Sequence, residues 1–210
     1  MLISIPYPEN SADVFARIAD LPWAAFLDSC KPMSQQGRYD ILTALPYKTL
    51  YISAETPNSF QLLHEHFAKD LGDTYETPTN PVPFTGGALG YFSYDGEIKV
   101  GIYDWAIIID HQSHTAYLTS DHRDPMTQSI LPDILARLET PAQNATPFRL
   151  RSPFISSLTQ SDYKKAFERI QEYIRAGDCY QTNLSQQFTA SFEGSPWEAY
   201  RRLRQVSPVP

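Results

Sequence analysis

Apolar positions recur at helical spacing in three long stretches of the chain. In "TPNSFQLLHEHFAKDLG", Phe60, Leu63 and Phe67 share one face, which predicts a helix with Thr56 or Ser59 at its start and Gly72 past its end. In "SDYKKAFERIQEYIRAG", the stripe is Tyr163, Ala166, Phe167, Ile170, Tyr173 and Ile174. Thr159 and Asp162 resemble a capping box there, and Gly177 suits the stop. In "SPWEAYRRLRQVS", Ser195, Pro196 and Glu198 fill the N-cap, N1 and N3 positions, and Trp197, Tyr200, Leu203 and Val206 make the expected buried stripe. Shorter helices are predicted over Ala12–Ala19, capped by Asn10 or Ser11, and over Ser129–Leu138.

Between the helices the pattern changes to strands. Trp23–Asp28, "YDILTA" and "TLYISA" read as strands, the last two parted by Pro46 and Tyr47. "GGALGYFSYD" is a strand whose Gly86, Gly87 and Gly90 call for a close backbone neighbour or a bulge. Trp105–Asp110 and Thr115–Ser120 flank "HQSH" as a hairpin. "KPMSQQG", Asp73–Thr85 and Glu139–Phe154 read as irregular connections. Helices and hairpins mixed without a strict βαβ rhythm predict an α+β fold with mostly antiparallel sheets.

One predicted strand stands apart. In "AGDCYQTNLSQQF", alternate positions put Gln181, Asn183, Ser185 and Gln187 on one face beside Cys179. That face holds no Lys, Arg, Asp or Glu. It suits either a solvated edge or a buried polar surface with matched hydrogen bonds.

Composition narrows the function. Hydrophobic residues make up 42% of the 210-residue chain, enough for a packed core. A net charge of −7 without a basic tract argues against nucleic-acid binding. No apolar run is long enough to span a bilayer, and the N-terminal residues lack the pattern of a signal peptide, so a cytoplasmic, non-membrane protein is expected. Cys30 and Cys179 are too few and too far apart to suggest a disulfide framework or a zinc site.

Few residues advertise chemistry. His64 and His66 face different sides of their helix, and His111 and His114 read as solvated turn residues rather than metal ligands. "GGALG" opens no helix and makes a poor phosphate loop. Arg38 in "GRYD" either enters a strand as a surface cation or grips a carboxylate with its guanidinium fork.

The block "YIRAGDCYQTNLSQQF" resembles the signature of aminodeoxychorismate synthases, a branch of the chorismate-utilising enzyme family. "LPWAAFLDS", "GRYDIL", "PFTGGALGYFSYD" and "GIYDWAIIIDH" follow the same family in order, so the resemblance covers nearly the whole chain. Asn183 in Q-x-N-L favours this branch over the anthranilate synthases. The resemblance implies an α/β/β/α fold with two sheets in a sandwich. It divides the chain into a family N-terminal region, 1–150, and the start of the chorismate-binding region, 151–210.

The resemblance implies amination of chorismate to 4-amino-4-deoxychorismate for p-aminobenzoate and folate synthesis. It implies ammonia from a glutaminase partner and Mg2+ on the substrate in the complete enzyme. It also implies a tryptophan pocket at Ser29, Gln36, Gly37, Arg38, Tyr39 and Pro210, and a buried supporting strand at Gln181, Asn183 and Ser185.

This sequence departs from the family at three points. The connection at Gly96–Val100 is short, and Gln187 stands where the family commonly has Arg. The family's catalytic and magnesium-binding residues lie beyond "VSPVP", so no catalytic or metal-binding residue is assigned and the chain alone is expected to be inactive, as the N-terminal part of a larger enzyme. The alternatives are an anthranilate synthase fragment, or a non-catalytic tryptophan-binding or partner-docking module.

Overall fold

The computed structural model describes residues 1–71, 82–142 and 145–209. The chain divides into two compact units, Met1–Asn144 with Tyr200–Pro210, and Ala145–Ala199. The fold mixes helices with sheets whose strand pairs are all antiparallel, as the patterning predicts.

In the first unit, β1 (Leu2–Ile5), β2 (Ala25–Leu27), β3 (Tyr39–Thr43), β7 (Trp105–Asp110) and β8 (Thr115–Ser120) form a sheet in the order β1-β8-β7-β3-β2. The β7–β8 hairpin has the predicted boundaries. Its strand β7 is buried at every position, so both of its faces are covered. Ala106 and Ile108 meet Val82, Tyr39, Ile41 and Phe84 on one face. By alternation Ile107 and Ile109 fall on the other, and both are fully buried.

A second sheet, ordered β4-β6-β5, consists of β4 (Lys48–Ile52), β5 (Gly87–Phe92) and β6 (Ile98–Tyr103). Helix α2 (Ser59–Leu71) covers it: Leu63 and Phe67 pack with Ile52, Ile98 and Val100. Phe60, predicted to share that face, is instead exposed and stacks on Phe92 with ring centroids 5.8 Å apart. The close approach expected at the glycines is real at Gly90, where an added Cβ would lie 2.0 Å from the Lys99 carbonyl oxygen. Strands β6 and β7 run on from one sheet to the other through the buried Asp104, which accepts a hydrogen bond from the Asp124 N–H.

Local chemistry moves several predicted boundaries. Helix α1 is only Ser11–Phe15, capped by Asn10, because beyond it the N–H groups of Arg17, Ile18 and Leu21 bond three residues back. Trp23 has a φ of 57°, so β2 cannot begin before it. Helix α3 (Pro125–Glu139) starts earlier than its apolar stripe suggests, because Asp124 caps it and Pro125 occupies its first turn.

The second unit contains α4 (Gln160–Ala176) and two short ladders. Strand β9 (Arg149–Leu150) pairs with β12 (Phe192–Glu193), and β10 (Ile155–Ser156) with β11 (Phe188–Thr189). Thr159 caps α4 by accepting from Asp162 N–H, and Gly177 ends it in the left-handed region with a φ of 87°. Helix α5 (Pro196–Val206) follows. Its buried side chain is Arg204; Leu203 and Val206, predicted to face inward, are exposed.

Candidate functional site

The end of β2 gathers a cluster of buried polar side chains, Ser29, Asp40 and Arg204 among them. Cys30 adopts a φ of 58°, and this left-handed turn lets the Asp28 carboxylate accept the Cys30 N–H at 2.7 Å. Arg204, on α5, donates to the same carboxylate from Nε at 2.5 Å and Nη2 at 3.1 Å, and Tyr200 donates its hydroxyl at 2.7 Å. The Arg204 and Asp28 side chains are only 2% and 3% exposed. Arg204 also donates from Nη2 to the Lys31 carbonyl and from Nη1 to Asn10 Oδ1, so each nitrogen of the buried guanidinium makes at least one hydrogen bond.

Burial works to raise the Asp28 carboxyl, but hydrogen bonds from Arg204, Tyr200 and the Cys30 N–H outweigh it and hold the group below its ordinary value. Burial, followed by the bond to Asp28, pushes the Tyr200 phenol up. This cluster clamps the tail of α5 to the corner after β2 within the first unit. Cys30 Sγ adds a contact to the Val209 carbonyl at 3.1 Å.

Ser29 follows directly. Its N–H donates to Asp40 Oδ1 at 2.6 Å, while its own hydroxyl oxygen is buried without a hydrogen-bond partner among the described residues. Asp40, on β3, is fully buried. Its second oxygen is 2.7 Å from His111 Nε2, and His111 Nδ1 is 2.8 Å from the Tyr7 hydroxyl. The expectation that His111 is a solvated turn residue is therefore overturned: its side chain is 7% exposed, because the hairpin turn folds it back onto β3. His114, at the same turn, is exposed.

Arg38 also has a partner. Its Nε and Nη2 grip the Asp110 carboxylate at 2.7–3.2 Å, and its guanidinium lies over the Tyr39 ring. The bond from Arg38, aided by the backbone N–H groups of Gln112 and Ser113, holds Asp110 well below the usual carboxylate range. The fork is thus occupied within the protein, and a ligand carboxylate here would meet the remaining Nη1 or backbone donors. Gln36 and Gly37 are exposed in the loop leading to Arg38, with Gly37 at a φ of 82°. Pro210 lies outside the described residues.

These groups suit binding better than catalysis. Tyr7, His111 and Asp40 have the hydroxyl–imidazole–carboxylate order of an acid–base relay. The hydroxyl belongs to a phenol, however, and burial together with Asp40 and Asp110 raises its pKa, away from an activated nucleophile.

The supporting polar strand is a correction. Gln181, Asn183 and Ser185 are exposed in a segment without strand structure, and pairing begins only at Phe188. Alternation alone does not make a strand; its N–H and C=O groups need a partner. Among the described residues, β10 supplies that partner for Phe188 and Thr189. The residues before them are held by isolated contacts, such as Ser156 Oγ to Gln186 Oε1 and Gln187 N–H to Ser157 Oγ.

The Asp28–Arg204 clamp and the His111–Asp40 pair went unseen in the sequence. The partners lie 176 and 71 residues apart, and neither pair has a periodic signature. The one usable hint was a buried-face arginine in α5, masked by the apolar residues around it.

Comparison with known proteins supplies the family context. The model of the chorismate binding enzyme family matches residues 33–210. The chain is 33% identical over its full length to aminodeoxychorismate synthase component 1 of Salmonella typhimurium and of Escherichia coli, covering 51% of each. It is 28% identical over 96% of its length to anthranilate synthase component 1 of Pseudomonas aeruginosa, covering 50% of it. The chain thus spans about half the length of these curated relatives. A crystal structure of anthranilate synthase component I from Streptococcus pneumoniae superposes with a TM-score of 0.66 at 21% identity, over 83% of this chain and 47% of that one, which establishes the shared fold.

Proposed function

This chain belongs to the chorismate binding enzyme family, and from that premise we propose that it is the N-terminal part of an aminodeoxychorismate synthase component I. The observation that carries the choice of branch is the 33% identity to aminodeoxychorismate synthases across the whole chain, against 28% for the Pseudomonas aeruginosa anthranilate synthase. The complete enzyme would aminate chorismate at C4, for p-aminobenzoate and folate synthesis, with ammonia from a glutaminase partner in the cytoplasm. Magnesium would hold the substrate's carboxylates. Among the described residues no group of three His, Cys, Asp or Glu could hold a metal ion, so no step through magnesium is assigned to this chain.

The role assigned to the chain itself is a non-catalytic tryptophan pocket at the corner after β2. The Ser29 hydroxyl, buried and unpartnered among the described residues, supports it, because a polar atom left without a bond inside a fold is one that a ligand can satisfy. The contact between Cys30 and Val209 supports it too, since it brings the residues before Pro210 to the same corner.

The test is an assay of the purified chain with chorismate, magnesium and ammonium. No turnover is expected. Formation of 4-amino-4-deoxychorismate would overturn the claim that the chain is inactive, and formation of anthranilate would overturn the branch.

A further inference from the structure

His111 sits where the two halves of the proposed pocket meet, yet it belongs to neither. Asp40 receives two bonds at once, from the Ser29 N–H at 2.6 Å and from His111 Nε2 at 2.7 Å. A carboxylate oxygen accepts, so Nε2 must carry the proton. The His111 backbone N–H donates to the Arg38 carbonyl at 2.9 Å. One residue thereby fixes the backbone at both Ser29 and Arg38, the first by a two-step relay and the second directly.

The other ring nitrogen is held as well: Tyr7 closes on Nδ1 from the loop before α1, while Ser11 Oγ, on α1 itself, lies 3.5 Å from Nε2, beside Asp40. The neighbouring charged group on β7 is Asp110, already committed to Arg38. The imidazole therefore has a single orientation in which both of its nitrogens are used.

We infer that His111 is a positioning residue for the amino-acid pocket: it sets Ser29 through Asp40 and Arg38 through the main chain, without touching the ligand. Its role in binding rests on the tryptophan pocket proposed above. The coupling of His111 to Ser29 stands on geometry alone, so the two can be tested separately.

The experiment compares wild type, His111→Leu and His111→Gln. Amide exchange of the peptide covering Asp28–Lys31 reads the coupling, and calorimetry with L-tryptophan reads the pocket. Glutamine can place an N–H donor where Nε2 stood, whereas leucine cannot. His111→Leu should speed exchange at Ser29 and weaken tryptophan binding by about tenfold, the worth of one charge-assisted hydrogen bond. His111→Gln should recover most of both losses, which a general packing defect would not allow.

Unchanged exchange in His111→Leu overturns the coupling. Faster exchange with unchanged affinity overturns the positioning role. A wild-type chain that binds no tryptophan sinks the pocket reading and the positioning role with it, while the exchange data still decide the coupling. If His111→Leu does not fold, Tyr7→Phe carries the test by freeing one end of the ring; equal exchange and affinity in that variant overturn the proposal.

Discussion

Arg204 and Asp28 form a two-pronged ion pair, with Nε and Nη2 at 2.5 and 3.1 Å from the carboxylate oxygens and both side chains shut away from water. Such a pair is costly to half-remove. The partner left behind keeps its desolvation penalty and loses the charge that offset it.

Arg204→Met should therefore destabilise the first unit by about 3–5 kcal/mol, the usual cost of breaking a buried pair from one side. Urea unfolding of the chain measures it. The double variant with Asp28→Asn should cost less than the sum of the two single changes, because the second change removes the stranded charge. A loss below about 1 kcal/mol for Arg204→Met, the range of exposed pairs, would show that the clamp adds little.

The same chemistry sets an acid limit. Asp28 and Asp110 both have carboxyl groups held below their ordinary values in the folded chain. In acid the unfolded chain then binds protons that the folded chain refuses. Their contribution to stability is complete above about pH 4, the unfolded carboxylate value, and is lost as pH falls through the folded values. Unfolding midpoints followed from pH 7 to pH 2 should fall steeply below that point, and Asp110→Asn should flatten the fall. An equal slope in that variant would remove Asp110 from the account.

Gly90 gives a packing prediction. A methyl group there would lie 2.0 Å from the Lys99 carbonyl oxygen and 2.6 Å from the Val100 Cα, both of them backbone atoms that cannot swing aside. Gly90→Ala should cost about 1–3 kcal/mol, as overpacked sites do, by prising β5 from β6. Gly96→Ala is a useful contrast. Its added methyl would make only ordinary van der Waals contact, with the nearest atom at 3.8 Å, and its cost would come from its φ of 95°.

The residues that were legible in the sequence are those whose information is local. The β7–β8 hairpin, the Thr159 cap and the Gly177 stop each depend on a few adjacent positions, and each is found as expected. The close approach at Gly90 was legible for the same reason. Arg204, Asp40 and His111 were not, because their roles depend on groups brought together from distant parts of the chain. The polar ladder failed in the opposite direction. Its alternation is genuine, but strand formation also needs a neighbour, and that requirement is written nowhere in the alternating residues themselves.

Ser29 separates a binding role from a structural one. Its hydroxyl is buried and makes no hydrogen bond among the described residues, while its N–H carries the bond to Asp40. Ser29→Ala keeps that N–H and removes an unsatisfied polar atom, so the fold should be unharmed or gain up to about 1–2 kcal/mol. If the hydroxyl is there to meet a ligand's amine, the same change should weaken L-tryptophan binding by about tenfold, the worth of a hydrogen bond to a charged group. Thermal unfolding and calorimetry on the one variant would then move in opposite directions. A variant that loses stability and keeps its affinity would place the hydroxyl among the packing groups of the corner and take away the main support for the pocket.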